Sequence, residues 1–91
     1  MRLFWTPEAI ADRRAIYDYI ETDNPGAALA LDELFSAQAN RLLEHPALGR
    51  WGRVAGTRER VVHRNYLLIY DTTADQVRVL RVLHAARQWP P

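Results

Sequence analysis

The hydrophobic period of the chain changes once, and this change most constrains its fold. Between residues 7 and 44 apolar side chains recur every three or four positions, whereas between residues 58 and 84 they alternate or form unbroken runs. The first pattern is typical of amphipathic helices and the second of strands. A run of helices followed by a run of strands favours an α+β domain, in which the helices cover one face of an antiparallel sheet.

Local start and stop signals divide the first half into a strand and two helices. Arg2–Trp5 is a short apolar strand, and Thr6-Pro7 begins a helix that runs to about Glu21. Asp23–Gly26 forms a turn that starts the second helix. That helix ends before His45-Pro46, because the residue preceding a proline disfavours helical backbone.

The second half begins with a glycine-rich loop, residues 45–57, and continues as three antiparallel strands joined by tight turns. The predicted strands are Arg58–His63, Tyr66–Tyr70 and Val77–His84. The N-terminal strand, Arg2–Trp5, is expected to join the same sheet, because alone it cannot bury its apolar side chains. The sequence therefore predicts a single domain, residues 1–91, with the order β-α-α-β-β-β.

Charge is divided unevenly between the two halves. Residues 1–44 carry eight acidic and four basic side chains, and residues 45–91 carry three acidic side chains and eight arginines. An arginine-rich half indicates either an anionic partner or ion pairs within the fold, because guanidinium groups bind phosphate and carboxylate in a bidentate manner.

Strict alternation places Arg81 between Val79 and Leu83 on one side of the last strand. We expect it to pair with a carboxylate such as Glu59, or to face a surface that a partner uses.

The residue inventory excludes several kinds of site. The chain has no cysteine, which excludes a disulfide framework and a thiolate metal site. Its three histidines lack zinc-site spacing, no phosphate-binding glycine motif is present, and Ser36 lacks a nucleophile elbow. We therefore expect no metal and no cofactor. His84 followed by Arg87 remains as a pairing of an acid–base group with a cation.

No apolar run approaches the roughly 18 residues that span a bilayer. No apolar targeting segment follows Met1. These two features predict a cytoplasmic protein that does not contact a membrane.

Short motifs along nearly the whole chain resemble one family in their order and spacing. They are Trp5–Ala9, Asp23–Pro25, Glu44–Pro46, Gly49-Arg50, Val54–Glu59, His63–Tyr70 and Val82–Pro90. Together they resemble the RelE/ParE superfamily of type II toxin–antitoxin toxins. The resemblance implies the β-α-α-β-β-β fold predicted above. It also implies a small ParD-like antitoxin, which neutralises the toxin by laying an extended or helical segment along its surface.

The resemblance implies one of two activities. RelE-like and YafQ-like members are mRNA endonucleases that act on the ribosome, whereas ParE-like members are DNA gyrase poisons. Leu67 stands where a RelE-type nuclease would place an arginine, and Asn65 replaces the aspartate of a YafQ-type member. His84 approximates a YafQ histidine, and Arg87 approximates a C-terminal arginine of RelE. This partial nuclease set favours a gyrase poison. The alternatives are an mRNA endonuclease that uses His84 and Arg87, and a toxin-derived binding module without poisoning activity.

Two sets of residues are predicted to contact partners. The target, DNA gyrase, is expected to meet the glycine-rich loop and the C-terminal tail through Arg50, Trp51, Arg53, Arg87 and Trp89. The antitoxin is expected to dock on helix positions that the sheet leaves uncovered and on a strand edge, with Arg60 and Arg81 contacting its carboxylates. DNA contact is expected only indirectly, through the antitoxin or gyrase.

Overall fold

A computed structural model of the chain describes residues 1–87, 89 and 90. The elements are β1 (Arg2–Trp5), α1 (Pro7–Glu21), α2 (Pro25–Glu44), β2 (Arg50–Trp51), β3 (Arg58–His63), β4 (Tyr66–Thr72) and β5 (Gln76–His84). This arrangement confirms the α+β class. Gln88, which belongs to the C-terminal motif, lies outside the described residues, as does Pro91.

Capping side chains begin both helices where the sequence predicts. Thr6 Oγ1 accepts a hydrogen bond from Ala9 N–H, and Asn24 Oδ1 accepts one from Ala27 N–H. A proline occupies the first turn of each helix, where its missing N–H is not needed. The Thr6 hydroxyl also donates to Leu80 C=O at 2.8 Å, which fixes the start of α1 against β5.

The five strands form one sheet in the order β1-β5-β4-β3-β2. The strand β1 lies parallel to β5, and the other pairs are antiparallel. The prediction of a plain loop over residues 45–57 is wrong at β2. There Arg50 pairs with Glu59 and Trp51 with Arg58. A strand of two residues is too short to show an alternating hydrophobic pattern in the sequence. The strand β2 is therefore defined only by its pairing with β3.

The core lies between the helices and one face of the sheet, and its members are at most 1% exposed. They are Ala9, Phe35, Ala39, Leu42, Leu68, Tyr70, Val77, Val79 and Val82. The Tyr70 hydroxyl donates to Pro46 C=O at 2.7 Å and accepts from Gly49 N–H at 2.9 Å. Burial raises the pKa of Tyr70, against opposing effects from the Gly49 N–H, Arg58 and Arg60. This side chain anchors the loop that leads into β2.

A register shift interrupts the last strand. Val79 and Arg81 both have partners on β4, but Leu80 between them has none. The extra residue exchanges the two faces of the strand, so Val82 joins Val79 in the core. The prediction of strict alternation along this strand is therefore wrong beyond Val79.

Arg81 pairs with Asp12 of α1, at the edge of the sheet. Its Nε and Nη2 donate to the Asp12 carboxylate at 2.7 and 3.0 Å, and these hydrogen bonds raise the pKa of Arg81. Asp12 Oδ2 also accepts from Val82 N–H at 3.0 Å. The predicted partner, Glu59, is wrong: β1 ends opposite Val79, which leaves the edge of β5 beyond it to Asp12 of α1.

Candidate functional site

The sheet face turned away from the helices carries a cleft of about 330 Å³. Its floor is apolar and consists of Leu67 and Ile69 of β4 and Leu83 of β5. These side chains alternate with core residues such as Leu68, so they point to the opposite face. Ile69 is 1% exposed and Leu83 is 3% exposed. Both faces of the central strands are thus buried, which accounts for the unbroken apolar run of Tyr66–Tyr70.

Side chains from distant parts of the sequence form the rim of this outer cleft. Arg50 belongs to β2, Arg53 to the loop that follows it, and Arg87 and Trp89 to the C-terminal tail. Four of the five residues predicted to contact the target therefore lie at one cleft. The glycine-rich loop and the tail, which the sequence does not link, converge there.

The outer cleft carries an excess of positive charge. Glu59 is the one acid among the described lining residues, and its Oε1 lies 3.3 Å from Arg50 Nη2. Within the part of the chain that the structure describes, no carboxylate pairs with Arg53 or Arg87. Two guanidinium groups are therefore available to an anionic group such as a phosphate or a carboxylate.

Backbone hydrogen bonds hold the tail at the end of the sheet. Ala85 N–H donates to Asn65 C=O at 2.7 Å, and Arg87 N–H donates to His84 C=O at 2.9 Å. Ala86 N–H donates to His84 Nδ1 at 3.1 Å. These contacts turn the chain directly after β5 and place Arg87 at the cleft.

Trp51, the fifth predicted target residue, does not line the outer cleft. Adjacent residues of a strand point to opposite faces, so its side chain lies away from that of Arg50. The guanidinium carbon of Arg58 lies 3.7 Å from the centre of the Trp51 ring. Arg58 Nη1 in turn donates to Gly49 C=O at 2.9 Å. The structure therefore places Trp51 at the β2 edge, apart from the other four.

The two predicted nuclease residues meet in a second pocket, of about 210 Å³. His84 and Arg87 line it together with Tyr66 and with Asp12 and Tyr19 of α1. The His84 ring contacts Tyr66 edge to face, with ring centres 5.2 Å apart. Because Nδ1 accepts the Ala86 N–H, the proton of the neutral ring lies on Nε2, which can donate a hydrogen bond.

The predicted antitoxin contacts, Arg60 and Arg81, both have internal partners. Arg60 Nε donates to Gln38 Oε1 on α2 at 3.3 Å, a neutral contact. Arg81 is held by Asp12, as described above. Among the residues that the structure describes, no carboxylate pairs with Arg60, whereas the charge of Arg81 is balanced by Asp12.

A groove runs along the helix side of the molecule. The second pocket and a further pocket of about 400 Å³ share Tyr66, and the further pocket also contains Ile20 of α1 and Leu31 of α2. Tyr19 of α1, which lines the second pocket, is a large apolar side chain that remains exposed. We name this surface the helix-side groove.

Sequence reasoning missed several residues of these sites. The outer-cleft floor could have been found, because an unbroken apolar run such as Tyr66–Tyr70 indicates that both faces of the strand are covered. Glu59 alternates with Arg58 and Arg60, which signals that it faces the other side. Asp12 had no such signal, because its partner lies 69 positions away.

The described residues contain neither a candidate metal cluster nor a candidate membrane-spanning helix. In the described residues no group of three or more histidine, aspartate or glutamate side chains could hold a metal ion. Neither helix of the described chain is long and apolar enough to cross a membrane.

Comparison with known proteins identifies relatives over nearly the whole chain. A sequence model of the family described as ParE toxin of type II toxin-antitoxin system, parDE, matches residues 3–89. Y4kP of Sinorhizobium fredii is 39% identical over 90 residues, which cover 98% of this chain and 93% of Y4kP. Toxin RelE2 of Caulobacter vibrioides is 37% identical over 86 residues, which cover 94% of this chain and 97% of the relative.

Solved structures share the fold. A chain from the chromosomal ParDE system of P. aeruginosa superimposes with a TM-score of 0.82 at 27% identity, covering 92% of this chain and 95% of that one. A mutant form of YafQ from E. coli has a TM-score of 0.62 at 16% identity, covering 92% of each chain. The YafQ comparison shows the fold alone.

Proposed function

Because the chain belongs to the ParE toxin family of type II toxin–antitoxin systems, we propose that it poisons DNA gyrase through the outer cleft. The observation that carries this proposal is the pairing state of the cleft arginines. Arg53 and Arg87 converge on one cleft, and within the described residues neither has a carboxylate partner. Exposed cations that the fold does not neutralise are suited to an anionic group of a target.

The chemistry of the cleft floor supports a poison rather than a nuclease. Leu67 lies in the cleft at the position where the resemblance to RelE-type nucleases implies an arginine. A guanidinium stabilises the negative charge that develops on phosphate during cleavage, and a leucine does not.

A plasmid cleavage assay with purified gyrase tests this proposal. The chain, separated from its antitoxin, is added to gyrase and supercoiled plasmid. We expect linear plasmid with covalently attached protein to accumulate. Unchanged cleavage together with unchanged supercoiling would overturn the gyrase proposal and direct attention to the ribosome.

A ParD-like antitoxin is the proposed neutralising partner, and we place it on the helix-side groove. The structural relative from P. aeruginosa is described as part of a ParDE system, which supports a partner of this kind. The groove presents apolar side chains of both helices, including Tyr19 and Leu31, which suit an amphipathic segment. Arg60, whose contact with Gln38 is neutral, is proposed to add a contact to an antitoxin carboxylate, whereas the guanidinium of Arg81 is already held by Asp12.

Two variants test the antitoxin surface. We expect Tyr19→Glu to weaken antitoxin binding at least tenfold, because it places a charge in an apolar interface. The charge reversal Arg60→Glu should also weaken binding, and unchanged affinity would refute the role of this arginine. Glu33→Gln, an exposed position of α2 outside the groove, serves as the control.

One observation favours a second function, ribosome-dependent mRNA cleavage. His84 and Arg87 share the second pocket, where Nε2–H of His84 and the guanidinium of Arg87 can both donate hydrogen bonds to a phosphate. This function requires that His84→Ala abolishes mRNA cleavage on ribosomes while the variant stays folded. Equal cleavage by the wild-type and variant chains would exclude it.

A chain that causes no growth arrest when expressed alone would instead be a toxin-derived binding module.

A further inference from the structure

Trp51 is an exposed aromatic side chain that the fold holds in one orientation. It lies on the edge strand β2 and is 69% exposed. Arg58, its partner in the strand pairing, covers one face of the ring at 3.7 Å. Arg58 in turn donates a hydrogen bond to Gly49 C=O, which holds its guanidinium against one face of the indole. The other face of the indole is open to solvent.

The surroundings of Trp51 are cationic. Arg50 and Arg53 are both exposed and lie one and two positions away in sequence. Arg50 points toward the outer cleft on the other side of β2, where Arg53 and Arg87 also lie. The β2 edge therefore combines a flat aromatic face with positive charge on both sides of the strand.

The combination restricts the chemistry of a ligand. An acidic peptide without aromatic side chains would use the guanidinium groups but leave the indole face without a stacking partner. An apolar peptide would contact the indole but leave the arginines without a counter-charge. An unpaired nucleotide satisfies both, because its base stacks on an aromatic ring and its phosphates bind arginine.

We propose that the Trp51–Arg58 stack is a base-stacking platform for single-stranded nucleic acid, with Arg53, on the other side of this edge strand, binding an adjacent phosphate and Arg50, which lies 3.3 Å from Glu59, adding a weaker contact. The platform shares these two arginines with the outer cleft, but its stacking contact is at Trp51, which does not line that cleft, so its test does not depend on the gyrase proposal. It departs from the expectation that DNA contact is only indirect. Every base has a stacking face, so binding shows little sequence preference and depends strongly on salt.

Fluorescence anisotropy with labelled oligonucleotides tests the platform. The probes are a twelve-nucleotide dT strand, the matching rU strand, a dT strand with abasic positions, and a DNA duplex of the same length. The full chain, separated from its antitoxin, should bind both single strands. Comparison of the affinities for dT and rU shows whether DNA or RNA is the preferred ligand. Binding to the abasic strand and to the duplex should be weaker.

Substitutions at the two sheet edges separate stacking from charge. Trp51→Ala should weaken binding to the single strand about tenfold, and Trp51→Phe should retain most of the affinity. The abasic strand should bind the Trp51→Ala chain and the wild-type chain equally. Phe4→Ala is the matched control, because Phe4 is 46% exposed on the opposite edge strand β1 and should leave binding unchanged.

Three results would overturn the proposal. They are no binding to either single strand at low salt, equal affinity of the wild-type and Trp51→Ala chains, and duplex binding as tight as single-strand binding. The last result would show that only phosphates are recognised. Circular dichroism of each variant ensures that a loss of binding is not a loss of folding.

Discussion

The two faces of the sheet bury similar apolar residues but are covered in different ways. On one face, two capped helices pack on side chains such as Leu68 and Val79, which are fully buried. On the other face, a loop and a tail surround Ile69 and Leu83 and leave a cleft with arginines at its rim. Regular elements thus supply most of the packing on the first face, and irregular segments supply charged groups on the second. The difference separates the stability of this toxin from its proposed contact with a target.

Matched leucine truncations give the largest expected difference between the faces. Leu42→Ala removes a fully buried side chain from the helix-covered face and should lower the free energy of unfolding by about 3–4 kcal/mol. Leu67→Ala removes the same atoms from the half-buried cleft floor, and we expect a loss of about 1 kcal/mol because water already reaches the site. Urea denaturation measures both values. Equal losses would show that the two faces are packed alike.

The Asp12–Arg81 pair joins α1 to the edge of β5, and its loss should have the next largest effect. Asp12→Asn leaves the Arg81 charge without a partner and should lower the free energy of unfolding by about 2 kcal/mol, since the pair is largely but not completely buried. Asp18→Asn is the matched control on the same helix, because its ion pair with Arg14 is exposed. Similar unfolding curves for the two variants would contradict the anchoring role of Asp12.

Tyr70 links the core to the loop that carries β2, and its hydroxyl group should have a smaller effect. Tyr70→Phe removes the hydrogen bonds with Pro46 and Gly49 and should cost about 1–2 kcal/mol of unfolding free energy. The same group makes stability depend on pH. Because burial raises the pKa of Tyr70 in the folded chain, its contribution is complete below the ordinary value of about 10 and falls as pH rises through the folded value.

Chemical denaturation at pH 8 and pH 11 measures this dependence. We expect the wild-type chain to lose more stability over that interval than Tyr70→Phe does. An equal loss in both chains would assign the alkaline sensitivity to other groups.

Features determined by neighbouring residues were predictable from the sequence, and features determined by distant pairing were not. Thr6 and Asn24 cap helices through contacts three residues away, so the helix starts could be located. The strand β2 exists only by pairing with β3, and the extra residue Leu80 is defined only by the partners of its neighbours. The partner of Arg81 was not predictable either, because Asp12 lies 69 positions away and Glu59 had been the expected carboxylate.

The candidate site shows the same division. Arginines and tryptophans in the loop and the tail were identified from residue type alone. Their meeting at one cleft depends on the hydrogen bonds that turn the chain after β5, such as Ala85 N–H to Asn65 C=O. The separation of Trp51 from Arg50 depends on β2 being a strand, which the two-residue segment does not reveal.

The role of the outer cleft is tested most directly by removing its unpaired charges. Arg53→Gln/Arg87→Gln should leave the urea midpoint unchanged, because within the described residues neither guanidinium has a carboxylate partner. In the plasmid cleavage assay with purified gyrase, we predict that the wild-type chain produces linear, protein-linked plasmid and that the double variant produces at least tenfold less. Undiminished cleavage by a folded double variant would contradict the assignment of the cleft as the surface that contacts gyrase.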